Sequence, residues 1–89
     1  MSEEPKPINV YEYVAIVLDQ TASIAWQKLG LQPDMATGRT EADLPQAKVA
    51  IDLCGQLAEI LRSQLEGDDL RQVNNLMNDL RINFMQRTQ

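Results

Sequence analysis

The stretch from Leu29 to Asp52 constrains the fold more than any other part of this sequence, because it combines a helix end, a turn and a helix start. Gly30 can adopt the left-handed conformation that ends a helix, and Pro33 prevents the helix from continuing. Thr37-Gly38 is typical of a turn. The run Asp43-Leu44-Pro45-Gln46 has the pattern of a capping box that opens the next helix. The stretch therefore predicts two helices joined by a structured turn.

Local signals also predict where the first helix begins. Asn9 is a preferred N-cap residue, and Glu12 stands three positions later, where its side chain can reach back to the Asn9 backbone N–H. We therefore predict a first helix over about residues 10–29. Residues 1–8 contain two prolines and mixed charge, so we expect a mostly disordered lead-in.

Two further helices are predicted to follow. The second should span residues 44–66, with Gly67 as the residue that ends it. Asp68 can cap the third helix at once, which should then run over about residues 69–87. So short a connection requires an antiparallel hairpin. No strand-like alternation occurs, so the fold class is all-α, a three-helix antiparallel arrangement in one domain over residues 9–89.

Apolar residues recur at helical spacing in the second and third helices. In the third they advance by three or four residues at a time: Leu70, Val73, Met77, Leu80 and Phe84. The second helix carries a ridge of small residues, Ala50, Cys54 and Ala58. Such a ridge lets another helix approach closely, and Gly55 beside it marks the predicted point of closest approach.

The first helix is too apolar for a monomer of this size. Fourteen of the twenty-two residues from Val10 to Leu31 are apolar, whereas a helix that buries one face needs about nine. We therefore predict self-association through this helix into a dimer or higher oligomer, with another protein as a possible partner. The candidate interface residues are Tyr13, Val14, Ile16, Val17, Leu18 and Ile24.

Charge and hydropathy exclude several classes of partner. The net charge is -5 and the eight basic residues are scattered, which argues against nucleic acid, since its binding requires clustered cations. The longest apolar run, Tyr13 to Leu18, is too short for a membrane span. The polar N-terminus does not resemble a signal peptide, so we expect a cytoplasmic protein.

The sequence offers no group of residues suited to catalysis or metal binding. There is no His, and the single Cys54 lies on the apolar stripe of the second helix, where a small core residue is expected. Asp34, Glu41 and Asp43 do not have the spacing of a calcium loop. Thr37-Gly38-Arg39 lacks the pattern of a phosphate loop, which leaves it open as a contact for a partner. We predict no cofactor, no metal and no enzymatic activity.

Several of these motifs together resemble a known family. The matching segments are Ala25–Leu31, Pro33, Thr37-Gly38, Asp43-Leu44, Gln46–Lys48, Ile51–Leu53, Asp79–Arg81 and Phe84. They are similar to a bacterial family of small helical proteins that is classified only as a domain of unknown function. The resemblance implies an all-α fold and a bacterial source. It implies no catalytic residue, cofactor or substrate.

Two hypotheses about function follow from the residues. The first is a non-enzymatic oligomerisation or protein-interaction module, such as an accessory subunit. The alternative is a regulator that binds a small apolar ligand or a lipid surface. A self-associating helix should be dry in the oligomer, whereas a ligand site should leave a pocket of ~300 Å³ or more.

Overall fold

The computed structural model describes residues 4–89 and contains three α-helices, α1 (Val10–Lys28), α2 (Leu44–Arg62) and α3 (Gly67–Thr88). No strand occurs in this part of the chain, and the all-α prediction is confirmed. None of these helices, within residues 4–89, is both long and apolar enough to cross a membrane. Of the lead-in, residues 4–8 precede α1 without forming a helix, and the predicted disorder of residues 1–3 lies outside the described residues.

The predicted N-caps of α1 and α2 are confirmed. The Asn9 Oδ1 accepts hydrogen bonds from the backbone N–H groups of Tyr11 at 2.9 Å and Glu12 at 3.3 Å. The Asp43 Oδ1 accepts one from the Gln46 N–H at 3.1 Å. The Asp43 N–H itself donates to the Lys28 carbonyl oxygen at 2.8 Å. In a capping box, the Gln46 side chain would accept a hydrogen bond from the Asp43 backbone N–H. Here the Lys28 carbonyl at the end of α1 is the acceptor instead.

A Schellman motif ends α1 at Gly30, the residue that the sequence predicts to end this helix. The Gly30 N–H donates to the Gln27 carbonyl at 3.0 Å, and the Leu31 N–H donates to the Trp26 carbonyl at 3.1 Å. Gly30 has a φ of 80°, which is the left-handed region that glycine adopts at little cost. The helix ends at Lys28 with Leu29 as its cap, one residue earlier than predicted.

The connection between α2 and α3 differs from the prediction. The second helix ends at Arg62 and not at residue 66. Gly67 is the first residue of α3, so it does not end α2, and Glu66 rather than Asp68 is the N-cap. The predicted connection had two residues, 67 and 68, whereas the chain uses four to reverse direction and to cross the ~9 Å between packed helix axes. The four residues 63–66 provide that span.

The helix α2 lies between the other two. Its N-terminus lies beside the end of α1, so the two helices are antiparallel, and α3 packs mainly on α2 with few contacts to α1. The small-residue ridge Ala50, Cys54 and Ala58 is buried, as predicted. A Cβ atom at Gly55 would lie 3.2 Å from the Arg81 Nη2 and 3.7 Å from the Met77 Cε, so the ends of two α3 side chains pack against α2 at this position.

The hydrophobic core follows the predicted stripes. It joins buried residues of all three helices. Val73 and Phe84, which belong to the predicted apolar stripe of α3, are partly buried against it. The fully or largely buried apolar residues are Leu18, Ala22, Ala25, Leu29, Ala47, Ala50, Ile51, Cys54, Ala58, Leu61, Met77 and Leu80. Most of these lie on the sides of α1 and α2 that face each other, so the outer sides of both helices lie outside the core.

Candidate interaction surface

The six candidate interface residues of α1 have different environments. Tyr13, Ile16 and Ile24 are exposed, at 60%, 55% and 41% of their surface. Val14 and Val17 are half-buried. Leu18 belongs to the core of the chain itself, where it is only 3% exposed. The structure therefore removes Leu18 from the candidate surface, because its side chain is already covered by the same chain.

The exposed apolar residues of α1 continue onto α2. A groove of about 400 Å³ separates the two helices, lined by Thr21, Ile24 and Lys28 on one side and by Gln46, Val49, Ala50 and Leu53 on the other. Residues three or four positions apart lie on the same side of a helix. Apolar residues at this spacing continue both walls of the groove along α1 and α2. We call the resulting surface the α1–α2 face; its residues are Val10, Tyr13, Val17, Thr21 and Ile24 of α1 and Val49, Leu53, Leu57 and Ile60 of α2.

The third helix lies on the opposite side of the α1–α2 pair. Its first turns border a separate groove with Ala15 and Asp19 of α1. Farther along, Arg81 lies over Gly55, on the side of α2 that points away from Leu53. Within residues 4–89, the α1–α2 face therefore has no third helix packed on it.

The α2 half of this face was not predicted as an interface. Val49, Leu53 and Ile60 are 68%, 43% and 50% exposed, respectively. Their spacing of four and seven residues forms a second apolar stripe next to the core stripe. That second stripe is the sequence signal that could have revealed them.

The α1–α2 face carries no carboxylate. Glu12 and Asp19 of α1 and Asp52 and Glu59 of α2 each lie about 100° or more around their helix from its centre. Lys28 is charged and lines the groove next to these residues, and its Nζ is 3.7 Å from an oxygen of Asp34. In a chain with thirteen acidic residues, none belongs to the nine residues of this face, and the nearby Asp34 carboxylate is paired with Lys28.

A buried glutamine fixes the loop that follows α1. Gln27 is 7% exposed, and its Oε1 accepts a hydrogen bond from the Met35 backbone N–H at 2.9 Å. Its Nε2 donates to the Ser23 Oγ at 3.3 Å. Met35 itself is 78% exposed and borders a groove with Ile24. The loop therefore places an exposed methionine at the border of the α1–α2 face, a role for Gln27 that helical periodicity did not indicate.

The predicted turn at Thr37-Gly38-Arg39 is organised around Asp34. The Asp34 Oδ1 accepts hydrogen bonds from the backbone N–H groups of Ala36 at 2.7 Å and Thr37 at 3.2 Å. These bonds, together with the charge of Lys28, hold the pKa of Asp34 below its usual value. Gly38 has a φ of 71°, typical of a turn. A role of Arg39 in partner binding stays a prediction.

The side chains that the sequence analysis examined for catalysis or metal binding have structural roles in the fold. Cys54 is fully buried, as expected of a core residue, and burial raises its pKa to about 11. The Asp34 carboxylate accepts from the turn, and that of Asp43 caps α2. Residues 4–89 contain no group of three or more acidic, cysteine or histidine side chains that could hold a metal ion.

Comparison with protein families identifies the family to which these elements belong. The chain matches a family over residues 12–86, nearly all of the three helices. It belongs to DUF1844, a domain of unknown function. No curated protein matches the chain, and no solved structure does. The DUF1844 match confirms the resemblance to a domain of unknown function and transfers no role to any residue of the α1–α2 face or the loop.

Proposed function

We propose that this protein is a non-enzymatic interaction module that self-associates through α1. The observation that supports the proposal is the exposure of Tyr13, Ile16 and Ile24 on a helix that already buries Ala22 and Ala25 in its own core. A helix with apolar residues beyond its core stripe is expected to pack against something else.

The free energy available from covering these residues supports the same proposal. Removal of apolar surface from water stabilises by about 25 cal/mol per Å², and Tyr13 and Ile16 each leave more than half of their surface exposed. A second copy of the chain is always available as a partner, because every molecule carries the same surface. A twofold dimer is the commonest way to cover such a surface. An accessory subunit would instead cover it with a larger partner.

Absolute molar mass tests this proposal directly. We would measure it by light scattering during size-exclusion chromatography over a hundredfold range of concentration. The wild type should form a dimer or larger species, and at least one of the two α1 variants, Ile16→Glu and Val17→Glu, should dissociate it. Ile82→Glu on α3, where Ile82 is 52% exposed, is the matched control and should keep the native mass. Retention of the oligomer in both α1 variants would contradict the proposal.

The groove between α1 and α2 favours a second candidate, a regulator that binds a small apolar ligand or a lipid surface. Its volume of about 400 Å³ exceeds the ~300 Å³ that a small-molecule site needs. Native mass spectrometry of the purified protein separates the two candidates. A monomer with a bound apolar molecule would support the ligand, and a ligand-free dimer would support self-association.

A further inference from the structure

We infer that the surface covered in the oligomer is the whole α1–α2 face, that its occupant is a second copy of this chain, and that α2 supplies about half of the contacts. The inference rests on the proposed function, since it requires that the protein self-associates. It differs from an interface built on α1 alone in naming Val49, Leu53 and Ile60 as contact residues. It also leaves Ile16 outside the contact.

The shape of the face favours a helical partner. The groove between Ile24 and Leu53 runs between two antiparallel helices, so a ridge of side chains from another helix can enter it. Val49 and Ile60 stand beside this groove as exposed ridges. A twofold axis lying in the plane of the face would turn the second copy over, so that the ridges of each copy lie against the groove of the other, which is the self-complementarity that a twofold dimer requires.

The charge distribution of the face permits packing against a second copy. Two chains of net charge -5 repel each other in general, but twofold packing opposes only identical surfaces. The two α1–α2 faces that would meet contain no carboxylate. The acidic residues of the two helices lie on other sides: Glu12, Asp19, Asp52 and Glu59. The contact can therefore exclude water without burying an unpaired negative charge.

The size of the face predicts a weak dimer. Each of the two helices has 19 residues and so is about 28 Å long. With axes ~9 Å apart, they present roughly 500 Å² on each copy, so that the dimer would bury about 1,000 Å². This lies at the low end for specific interfaces. We therefore expect monomer and dimer to coexist at low micromolar concentration.

Site-specific cross-linking tests the arrangement. Leu53 is in the middle of α2, so a twofold axis through the centre of the face would bring the two copies of it within ~10 Å. Cys54→Ala removes the native thiol, and Leu53→Cys or Ile82→Cys then adds a single exposed one. A short bis-maleimide should link the Leu53→Cys protein into covalent dimers. The Ile82→Cys control should stay monomeric under the same conditions.

Glutamate substitutions separate this inference from the proposed function. Leu53→Glu and Val17→Glu should weaken self-association at least tenfold, whereas Ile16→Glu should leave it unchanged, with circular dichroism confirming that each variant is helical. Dissociation by Ile16→Glu alone, without cross-linking at Leu53→Cys, would overturn the inference and leave self-association through α1 intact. A wild type that is monomeric at every concentration would overturn both.

Discussion

The side chain of Gln27 accepts a 2.9 Å hydrogen bond from the backbone N–H of Met35, eight residues later in the chain. The bond joins α1 to the loop that leads into α2, and Gln27 is buried while Met35 is exposed. A polar side chain in that position satisfies a backbone donor that would otherwise lack a partner in the protein. Gln27 therefore controls the conformation of the loop beside the α1–α2 face.

Replacement of Gln27 should destabilise the fold measurably. Gln27→Ala leaves the Met35 N–H without its acceptor, so we expect a loss of about 1–3 kcal/mol in the free energy of unfolding, measured by urea denaturation. Ser23→Ala is the matched control, because it removes only the 3.3 Å bond to the Gln27 Nε2 and should cost about 0.5 kcal/mol. Equal effects of the two substitutions would contradict the anchoring role.

Two glycines should respond in opposite ways to alanine. At Gly55 the added Cβ would meet only the end of the flexible Arg81 side chain at 3.2 Å and the Met77 Cε at 3.7 Å. Since alanine favours the helix by about 1 kcal/mol over glycine, Gly55→Ala should stabilise by about 0.5–1 kcal/mol. A clear loss of stability in urea unfolding would mean that the position of Arg81 itself matters.

Gly30→Ala should instead destabilise by about 1–2 kcal/mol. Gly30 has a φ of 80°, and its added Cβ would lie 3.2 Å from the Cβ and 3.5 Å from the backbone of Ala42, which cannot rotate away. The same urea experiment measures this loss. Unchanged stability would indicate that the Schellman end of α1 adjusts more easily than its hydrogen bonds suggest.

The turn at Asp34 should depend on pH. Because its pKa is lowered in the folded state, the ionised carboxylate contributes stability above its ordinary pKa of about 3.9. That contribution is lost as the pH falls through the lowered folded-state value. The stability difference between the wild type and Asp34→Asn should therefore be constant near neutral pH and shrink below about pH 4. A difference that persists to the lowest pH at which the protein folds would contradict this assignment.

Cys54 should be almost unreactive in the folded protein. The thiol is fully buried and has a pKa of about 11, so only about one thiol in a thousand would be ionised at pH 8. We expect a disulfide reagent such as DTNB to label the native protein at least a hundredfold more slowly than the protein in urea. Rapid labelling under native conditions would show that α1 and α2 separate readily, and would reopen the question of a reactive cysteine.

The sequence alone determined the features that depend on a few neighbouring residues. The caps at Asn9 and Asp43, the Schellman end at Gly30 and the turn at Gly38 were all predictable, because each is a short-range hydrogen-bond pattern with a preferred residue type. The core stripes of α2 and α3 were predictable for a related reason, since helical periodicity assigns residues to one side of a helix without knowledge of its neighbours.

Only the tertiary structure decided which apolar residues stay exposed outside the core. Periodicity could not tell that Leu18 is buried within the chain while Ile24 is exposed, since that depends on where α2 lies against α1. Nor could it assign Val49 and Leu53 to a free face, because α3 could in principle have packed on either side of α2. The burial of Gln27 depends on a loop that folds back over it. Exposure is set by contacts between residues distant in the sequence, and the α1–α2 face exists because α3 packs on the opposite side.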